Sequence, residues 1–87
     1  MTPHTYESVL GHIVGYLHGR LEGAPEVIGS SRLVEDLNID SLQAFEIMED
    51  LEDAFQVVVP LETLTQRRIQ TVSELASEIV RLLQRKS

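Results

Sequence analysis

The stretch DLNIDSL places three oxygen-bearing side chains two residues apart and follows them with a serine. Asp36, Asn38 and Asp40 have the spacing of the first ligands of an EF-hand calcium loop, which also needs glycine at position six and glutamate at position twelve. Position six here is Ser41 and position twelve is Ile47, so the ligand set cannot close. The sequence argues against an EF-hand and leaves open only a loose association of divalent cations with acidic side chains.

Ser41, which follows these three residues, is a candidate site for covalent chemistry. Asp40 is a favoured N-cap and Gln43 can complete a capping box, so a helix is predicted to begin at Ser41. A phosphodiester on this hydroxyl would be stabilised by unpaired backbone N–H groups and the helix dipole. A serine hydrolase is disfavoured, because there is no G-x-S-x-G elbow and no adjacent histidine base. We predict that Ser41 accepts a modification; the alternative is a second capping hydroxyl.

The remaining groups that could bind a metal or catalyse a reaction are not arranged to do so. His4, His12 and His18 are eight and six residues apart, which does not place all three on one helical face. The absence of cysteine excludes disulfides, thiolate catalysis and cysteine-ligated zinc. We predict no catalytic residue and no metal site, and interpret Tyr6 and Tyr16 as packing residues.

The first predicted helix and the connection after it cover almost half of the chain. Apolar residues at helical spacing, with Pro3 in the first turn, predict helix one over about residues 3–21. Residues 22–39 then predict a long ordered loop, which is commonly functional at this length. Its isolated apolar residues are expected to pin it to the core: Val27, Ile28 and Leu33.

Three more helices are predicted after this loop. Helix two is expected over about residues 41–55, and the last helix over about 72–84, opened by a capping box from Thr71 to Glu74. A weaker apolar pattern predicts a short helix over about 61–68.

The segment QVVVPL, residues 56–61, has the composition of a strand but no partner strand elsewhere in the chain. Pro60 also removes a backbone donor, so the segment is predicted to be a buried loop. At 87 residues the chain can form one compact core. The predicted fold class is therefore all-α: a single domain, 1–87, formed by a four-helix bundle with three main helices and a short one.

The charge distribution restricts the class of partner. Fourteen acidic residues against seven basic ones give a formal charge of −7, and no Lys or Arg occurs between Arg32 and Arg67. This surface would repel nucleic acid and attract basic partners. No apolar run reaches the roughly 18 residues of a membrane helix, and the first residues lack the basic region and uninterrupted apolar stretch of a signal peptide. We expect a soluble, cytoplasmic, monomeric protein that does not insert into membranes.

Helix two is predicted to have a core face and an acidic face. A step of about 100° per residue places one set of side chains with Ser41 on the core side. These are Ala44, Ile47, Met48, Leu51, Ala54 and Phe55. The opposite arc carries five carboxylates and two apolar residues: Glu46, Glu49, Asp50, Glu52 and Asp53, with Leu42 and Phe45. Apolar residues among carboxylates suit a docking surface, where charge steers the partner and apolar area provides contact.

These motifs together resemble the acyl carrier protein family. The resemblance is carried by LVEDLNIDSLQAFEIMEDLEDAF, then VVVP, and later IQTVSELA, and it covers about residues 5–83. The triplet D-S-L alone is weak evidence for the family. The L-x-x-D-L pattern before it, the acidic helix after it and the Thr-capped last helix make the resemblance specific.

The resemblance implies a non-catalytic four-helix carrier. A phosphopantetheinyl transferase would attach 4'-phosphopantetheine from coenzyme A to Ser41, and the terminal thiol would carry acyl groups as thioesters. Transferase recognition would involve Asp36, Asp40 and Leu42. Partner docking would involve Phe45, Glu46, Glu49, Glu52 and Asp53. The acyl pocket and core would include Ile47, Leu51, Phe55, Val72, Leu75 and Ile79. The implied partners, besides the transferase, are acyl- or aminoacyl-loading ligases and condensing or acyltransferase enzymes with basic docking surfaces.

Some positions depart from the family pattern. Asn38 replaces the usual glycine, which asparagine allows because it tolerates positive φ. Arg67 and Arg68 replace an often acidic stretch, which favours a specialised free-standing carrier over a housekeeping one. Fatty acyl, polyketide, aminoacyl and nonribosomal peptide cargoes all stay open. The alternative from another class is a helical interaction module or weak divalent-cation binder without a prosthetic group.

Overall fold

Three α-helices form the fold in the computed structural model, which describes residues 5–21, 26–60 and 69–86. They are α1 (Tyr6–Arg20), α2 (Ser41–Phe55) and α3 (Val72–Lys86). Within these residues the only β-type pairing is an isolated bridge between Arg32 and Thr71. The described chain is all-α, as predicted, whereas the short helix expected at 61–68 lies outside the described residues.

Helix α1 begins three residues later than the sequence predicted. Thr5 is its N-cap, with extended backbone, and the Thr5 Oγ1 accepts a hydrogen bond from the Ser8 N–H at 3.1 Å. The predicted start at Pro3 was wrong, because the threonine hydroxyl satisfies an N–H of the first turn and so sets the boundary. At the other end, the Leu21 N–H donates to the Leu17 carbonyl at 2.9 Å.

The predicted capping box of α2 is confirmed. The Asp40 carboxylate accepts from the Gln43 N–H at 2.8 Å, and the Gln43 side chain accepts from the Asp40 N–H at 3.4 Å. The helix ends at Phe55, and its C-cap, Gln56, has a left-handed φ of 57° and an N–H that donates to the Glu52 carbonyl. A left-handed C-cap is common, but it is usually glycine, so glutamine gave no signal for it in the sequence.

The predicted capping box of α3 is confirmed as well. The Thr71 N–H donates to the Glu74 carboxylate at 3.1 Å, and the Glu74 N–H donates to the Thr71 hydroxyl at 3.1 Å. The helix then continues to Lys86, two residues beyond the predicted end.

The core lies where the apolar faces of the three helices meet. Complete burial of aliphatic side chains is the main stabilising contribution in a protein without disulfides. From α1 and α2 the buried residues are Val9, Ile13 and Leu17, with Ile47, Met48, Leu51 and Phe55. From α3 they are Val72, Leu75, Ala76 and Ile79.

The long loop between α1 and α2 is attached to the beginning of α3 by backbone hydrogen bonds. The Leu33 N–H donates to the Gln70 carbonyl at 2.9 Å, the Val72 N–H to the Ser31 carbonyl at 3.1 Å, and the Ser73 N–H to the Gly29 carbonyl at 2.8 Å. These bonds satisfy loop backbone groups that would otherwise lack partners in the interior.

Apolar loop residues reinforce this attachment. Val27, Leu37 and Ile39 are buried, and Leu33 packs partly against the core. Ile28, expected to pin the loop, is instead 49% exposed. The local turn explains this, since the Ser31 N–H bonds back to the Ile28 carbonyl and the Ile28 N–H to the Ser31 hydroxyl, which places Ile28 at a bend near the surface.

Residues 56–60 form a loop whose side chains alternate between core and solvent. Val57 and Val59 are buried, whereas Val58 is 79% exposed. The loop is held to α2 by the Glu52 carboxylate, which accepts from the Val59 N–H at 2.7 Å. The prediction of a buried loop therefore holds for two of the three valines.

None of the three helices described has the length and apolar character needed to span a membrane.

Candidate functional site

Ser41 is exposed at the first position of α2. The Asp40 carboxylate accepts the capping hydrogen bond from the Gln43 N–H, so it stabilises the helix N-terminus rather than contacting the serine as a base. Leu42, next to the serine, is 70% exposed. The hydroxyl is therefore accessible from solvent and lies at the positive end of a 15-residue helix.

A tight turn before α2 determines where Ser41 lies. The Asp36 carboxylate accepts from the Arg32 N–H at 2.8 Å and lies 3.6 Å from the Arg32 Nε. Asn38 has φ of 56°, which confirms the predicted positive φ. The Asn38 N–H donates to the Val34 carbonyl and the Ile39 N–H to the Leu33 carbonyl, each at 3.0 Å. The chain therefore enters α2 from a hydrogen-bonded turn.

The same contacts show how Asp36 and Asp40, the residues of the cation hypothesis, are used in the fold. One carboxylate oxygen of Asp36 and one of Asp40 accept backbone N–H groups, so both side chains stabilise the turn and the helix N-terminus. Among the residues that the structure describes, no three His, Asp or Glu side chains are grouped in a way that could hold a metal ion.

A cleft of about 580 Å³ opens beside Ser41, between the loop, α2 and the start of α3. Asp40, Ser41 and Phe45 line it, and its apolar wall is formed by Leu33, Ile39, Ala44, Ile47, Met48, Ile69 and Leu75. An exposed serine next to an apolar cleft can accept a phosphopantetheine arm and leaves room for an apolar group near the attachment point.

The predicted acyl-pocket residues divide into two groups. Ile47 and Leu75 line this cleft, whereas Leu51, Phe55, Val72 and Ile79 are buried in the core and do not line it. Sequence reasoning did not assign the loop residues Leu33 and Ile39 to the pocket, because their approach to α2 depends on the loop's attachment to α3. Met48 was predicted only as a core residue.

The acidic face of α2 is less uniform than its sequence indicates. Glu49 and Asp53 are exposed, and no ion pair among the described residues involves either. Phe45 is 51% exposed beside them. Glu46 is exposed but lies 3.2 Å from the Arg20 Nη2. Glu52 is partly buried and accepts the Val59 N–H, so it stabilises a loop instead of projecting freely toward a partner.

A polar cluster between α1 and α2 was missed by sequence reasoning. Arg20 lies 3.7 Å from Asp50 as well as close to Glu46, and the Tyr16 hydroxyl donates a hydrogen bond to Asp50. Burial and this hydrogen bond raise the pKa of Tyr16 to about 12. The partners are 26 to 34 residues apart in the chain, so only helix packing could bring them together.

Comparison with known proteins assigns the chain to a family. A family model described as "Phosphopantetheine attachment site" matches residues 13–79, more than half of the chain. The "Acyl carrier protein" of Helicobacter hepaticus (strain ATCC 51449 / 3B1) is 37% identical over 75 residues, which cover 86% of this chain and 92% of that protein.

Members of this family are carriers without catalytic activity of their own, and they hold acyl groups as thioesters on a covalently attached 4'-phosphopantetheine. Their general partners are a phosphopantetheinyl transferase and acyl-handling enzymes. The matched region, the accessible serine at a helix N-terminus and the adjacent apolar cleft agree on one conclusion: this chain belongs to the acyl carrier protein family.

Proposed function

We propose that Ser41 is the residue that carries the phosphopantetheine arm. The observation that supports this most strongly is its location: it is an exposed serine at the first position of α2, inside the matched region and next to the apolar cleft. Asp40 and Leu42 flank it, and we propose that both are recognised by the transferase. Asp36 has the same proposed role, although its carboxylate also closes the turn before α2.

The attachment step needs an accessible hydroxyl and a place for the new negative charge. The Ser41 Oγ forms a bond to the phosphorus of the pantetheine phosphate of coenzyme A and gives its proton to a base of the transferase. The bond from that phosphorus to the oxygen of the nucleotide half breaks, and 3',5'-ADP leaves. The resulting phosphodiester lies at the N-terminus of α2, where the helix dipole and the unpaired N–H groups favour an anion.

We propose that the cargo is an acyl group of the fatty acid or polyketide type. The supporting observation is the apolar wall of the cleft beside Ser41. Most of the lining is apolar, and burying it against an alkyl chain is favourable; Glu35 and Asp40 are the acidic residues of the same lining.

The proposed partners dock on the exposed side of α2. Leu42 and Phe45 supply apolar area, and Glu49 and Asp53 supply negative charge. This combination favours basic surfaces with an apolar centre on a loading ligase, a condensing enzyme or an acyltransferase. Glu46 and Glu52, also predicted as docking residues, already have intramolecular partners.

We propose two further properties of the whole chain. The protein is proposed to act as a monomer, and to do so in the cytoplasm, where the transferase would use coenzyme A.

Intact mass tests the attachment site directly. The protein is incubated with coenzyme A, magnesium and a promiscuous phosphopantetheinyl transferase, and the wild type is compared with Ser41→Ala. Ser77→Ala, another exposed helical serine, is the matched control. We expect one phosphopantetheine on the wild type and on Ser77→Ala and none on Ser41→Ala. An unmodified wild type would reject the carrier function, and a modified Ser41→Ala would reject the site.

A further inference from the structure

Arg20, the last residue of α1, contacts the acidic face of α2. Its guanidinium lies 3.2 Å from the Glu46 carboxylate and 3.7 Å from that of Asp50. One turn earlier on α1, Tyr16 donates a hydrogen bond to the same Asp50. One cation is therefore held beside two of the five carboxylates of a helix that carries no basic residue of its own.

These contacts affect the attraction of a charged partner to α2 more than they affect the stability of the fold. All three side chains are substantially exposed, and exposed ion pairs stabilise a fold by only about 0–1 kcal/mol. Steering of a charged partner depends instead on the summed charge of a patch. A guanidinium beside Glu46 and Asp50 cancels much of their attraction for a basic surface, whether or not each pair is always closed.

Arg20 thus divides the exposed side of α2 into two strips. The flank facing α1, Glu46 and Asp50, has half of its negative charge cancelled, because one guanidinium faces two carboxylates. The remaining strip contains Leu42, Glu49 and Asp53, which fall within about 40° of one another at 100° per residue. We name this second strip the docking ridge.

The docking ridge has a definite spacing. Glu49 and Asp53 are four residues apart, or about 6 Å along the helix axis. Leu42 lies seven residues before Glu49, or about 10 Å nearer the end that carries Ser41. A complementary partner presents two basic side chains about 6 Å apart and an apolar contact two helical turns away from them.

We propose that Arg20 is a specificity-determining residue for docking: by cancelling half of the negative charge of the Glu46 and Asp50 flank, it directs basic partner enzymes onto the docking ridge. This inference rests on the proposed function, because it concerns how partners reach Ser41.

Steady-state kinetics of phosphopantetheine transfer test it, with coenzyme A, magnesium and the promiscuous transferase as the probe. Arg20→Gln is compared with Arg81→Gln, which removes the same charge from an arginine–carboxylate pair on α3, with Glu78. At low ionic strength we expect Arg20→Gln to lower the KM for the carrier about three- to fivefold with kcat unchanged, since the exposed Glu46 and Asp50 then attract the basic enzyme. Arg81→Gln and Arg20→Lys should keep the wild-type KM.

Two carboxylate variants complete the test. Glu49→Gln should raise the KM about three- to fivefold in the wild-type background, whereas Glu46→Gln should change it less than twofold. In the Arg20→Gln background the effect of Glu46→Gln should approach that of Glu49→Gln, because the cation that masked Glu46 is gone. These differences should shrink at 0.5 M NaCl, where the Debye length is about 4 Å.

The outcomes separate the two proposals. If the wild type is not modified, both the proposed attachment at Ser41 and the proposed role of Arg20 are rejected. If the wild type is modified but Arg20→Gln and Arg81→Gln have equal KM values, only the role of Arg20 is rejected. Equal effects of Glu46→Gln and Glu49→Gln in the wild type also overturn it. A lower KM that persists at high salt would indicate a structural effect of Arg20, and thermal melting of each variant checks that the fold is intact.

Discussion

Single side chains near the candidate site carry both structural and functional roles. Asp40 caps α2 and precedes the proposed attachment residue, and Asp36 closes the turn that leads into the helix. Replacing a capping Asp by Ala costs about 1 kcal/mol of stability. A slower transfer reaction in an Asp40 variant would therefore combine lost recognition with a frayed helix N-terminus, so stability must be measured in the same variant.

Tyr16 leads to a prediction about alkaline pH. The folded protein raises the pKa of Tyr16 from 10.0 to about 12, mainly by burial and then by the hydrogen bond to Asp50, while the Arg20 charge opposes the shift. The folded state thus favours the protonated phenol. The stabilisation is complete below pH 10 and is lost as the pH rises toward 12.

Urea unfolding between pH 9 and roughly 12 measures this loss in the wild type and in Tyr16→Phe. We expect the free energy of unfolding to fall more steeply in the wild type across this window. Groups other than Tyr16 titrate in both proteins and affect both in the same way. If the free energy of unfolding falls equally with pH in the wild type and in Tyr16→Phe, the prediction is contradicted.

At the scale of elements, two of the three described helices, α2 and α3, also hold a loop. The start of α3 pairs with the loop that leads to Ser41, and α2 holds residues 56–60 through Glu52. Segments without regular structure are thereby attached to rigid helices, and the loop before α2 is fixed where it leads to Ser41 at the helix N-terminus.

The role of Glu52 is tested against Glu49 on the same helix. Glu52→Ala removes a charged acceptor from a partly buried backbone N–H, and we expect it to lower the free energy of unfolding by about 1–2 kcal/mol. Glu49→Ala involves the same change of side chain at an exposed position and should cost no more than about 0.5 kcal/mol. Urea denaturation measures both, and equal losses would show that the Val59 contact does not stabilise the loop.

At the scale of the whole molecule, negative charge is the dominant global property. The formal charge is −7 in a chain of 87 residues. The four ion pairs among the described residues all involve exposed arginines or carboxylates. Such a charge attracts basic partners, but it also destabilises the compact state through self-repulsion.

Added salt should therefore stabilise this protein. Raising NaCl from about 10 to 300 mM shortens the Debye length from about 30 Å to about 6 Å, which screens repulsion between carboxylates across the molecule. If screening removes about 1 kcal/mol of repulsion, the Tm should rise by roughly 4–8 °C. A Tm that falls with NaCl in thermal melts would mean that the surface ion pairs outweigh the repulsion.

The local features of this protein could be predicted from its sequence because they depend on neighbours within four residues. Both capping boxes, Asp40 with Gln43 and Thr71 with Glu74, involve partners three residues apart. The positive φ of Asn38 follows from the tolerance of asparagine for that backbone region. The core side of α2 follows from helical periodicity, although Ala54, expected on that side, proved to be exposed.

The sequence by itself thus determined an acidic, all-α carrier with Ser41 at a helix N-terminus. Only the tertiary structure decided which groups meet at long range: Arg20 with Glu46, Tyr16 with Asp50, Glu52 with the Val59 N–H, and the loop with α3. The physical reason is that a carboxylate has the same propensity and periodicity whether it faces solvent, a guanidinium or a backbone N–H. Its role is set by the packing of helices that are distant in the chain, and that packing determines which acidic residues are left to meet a partner.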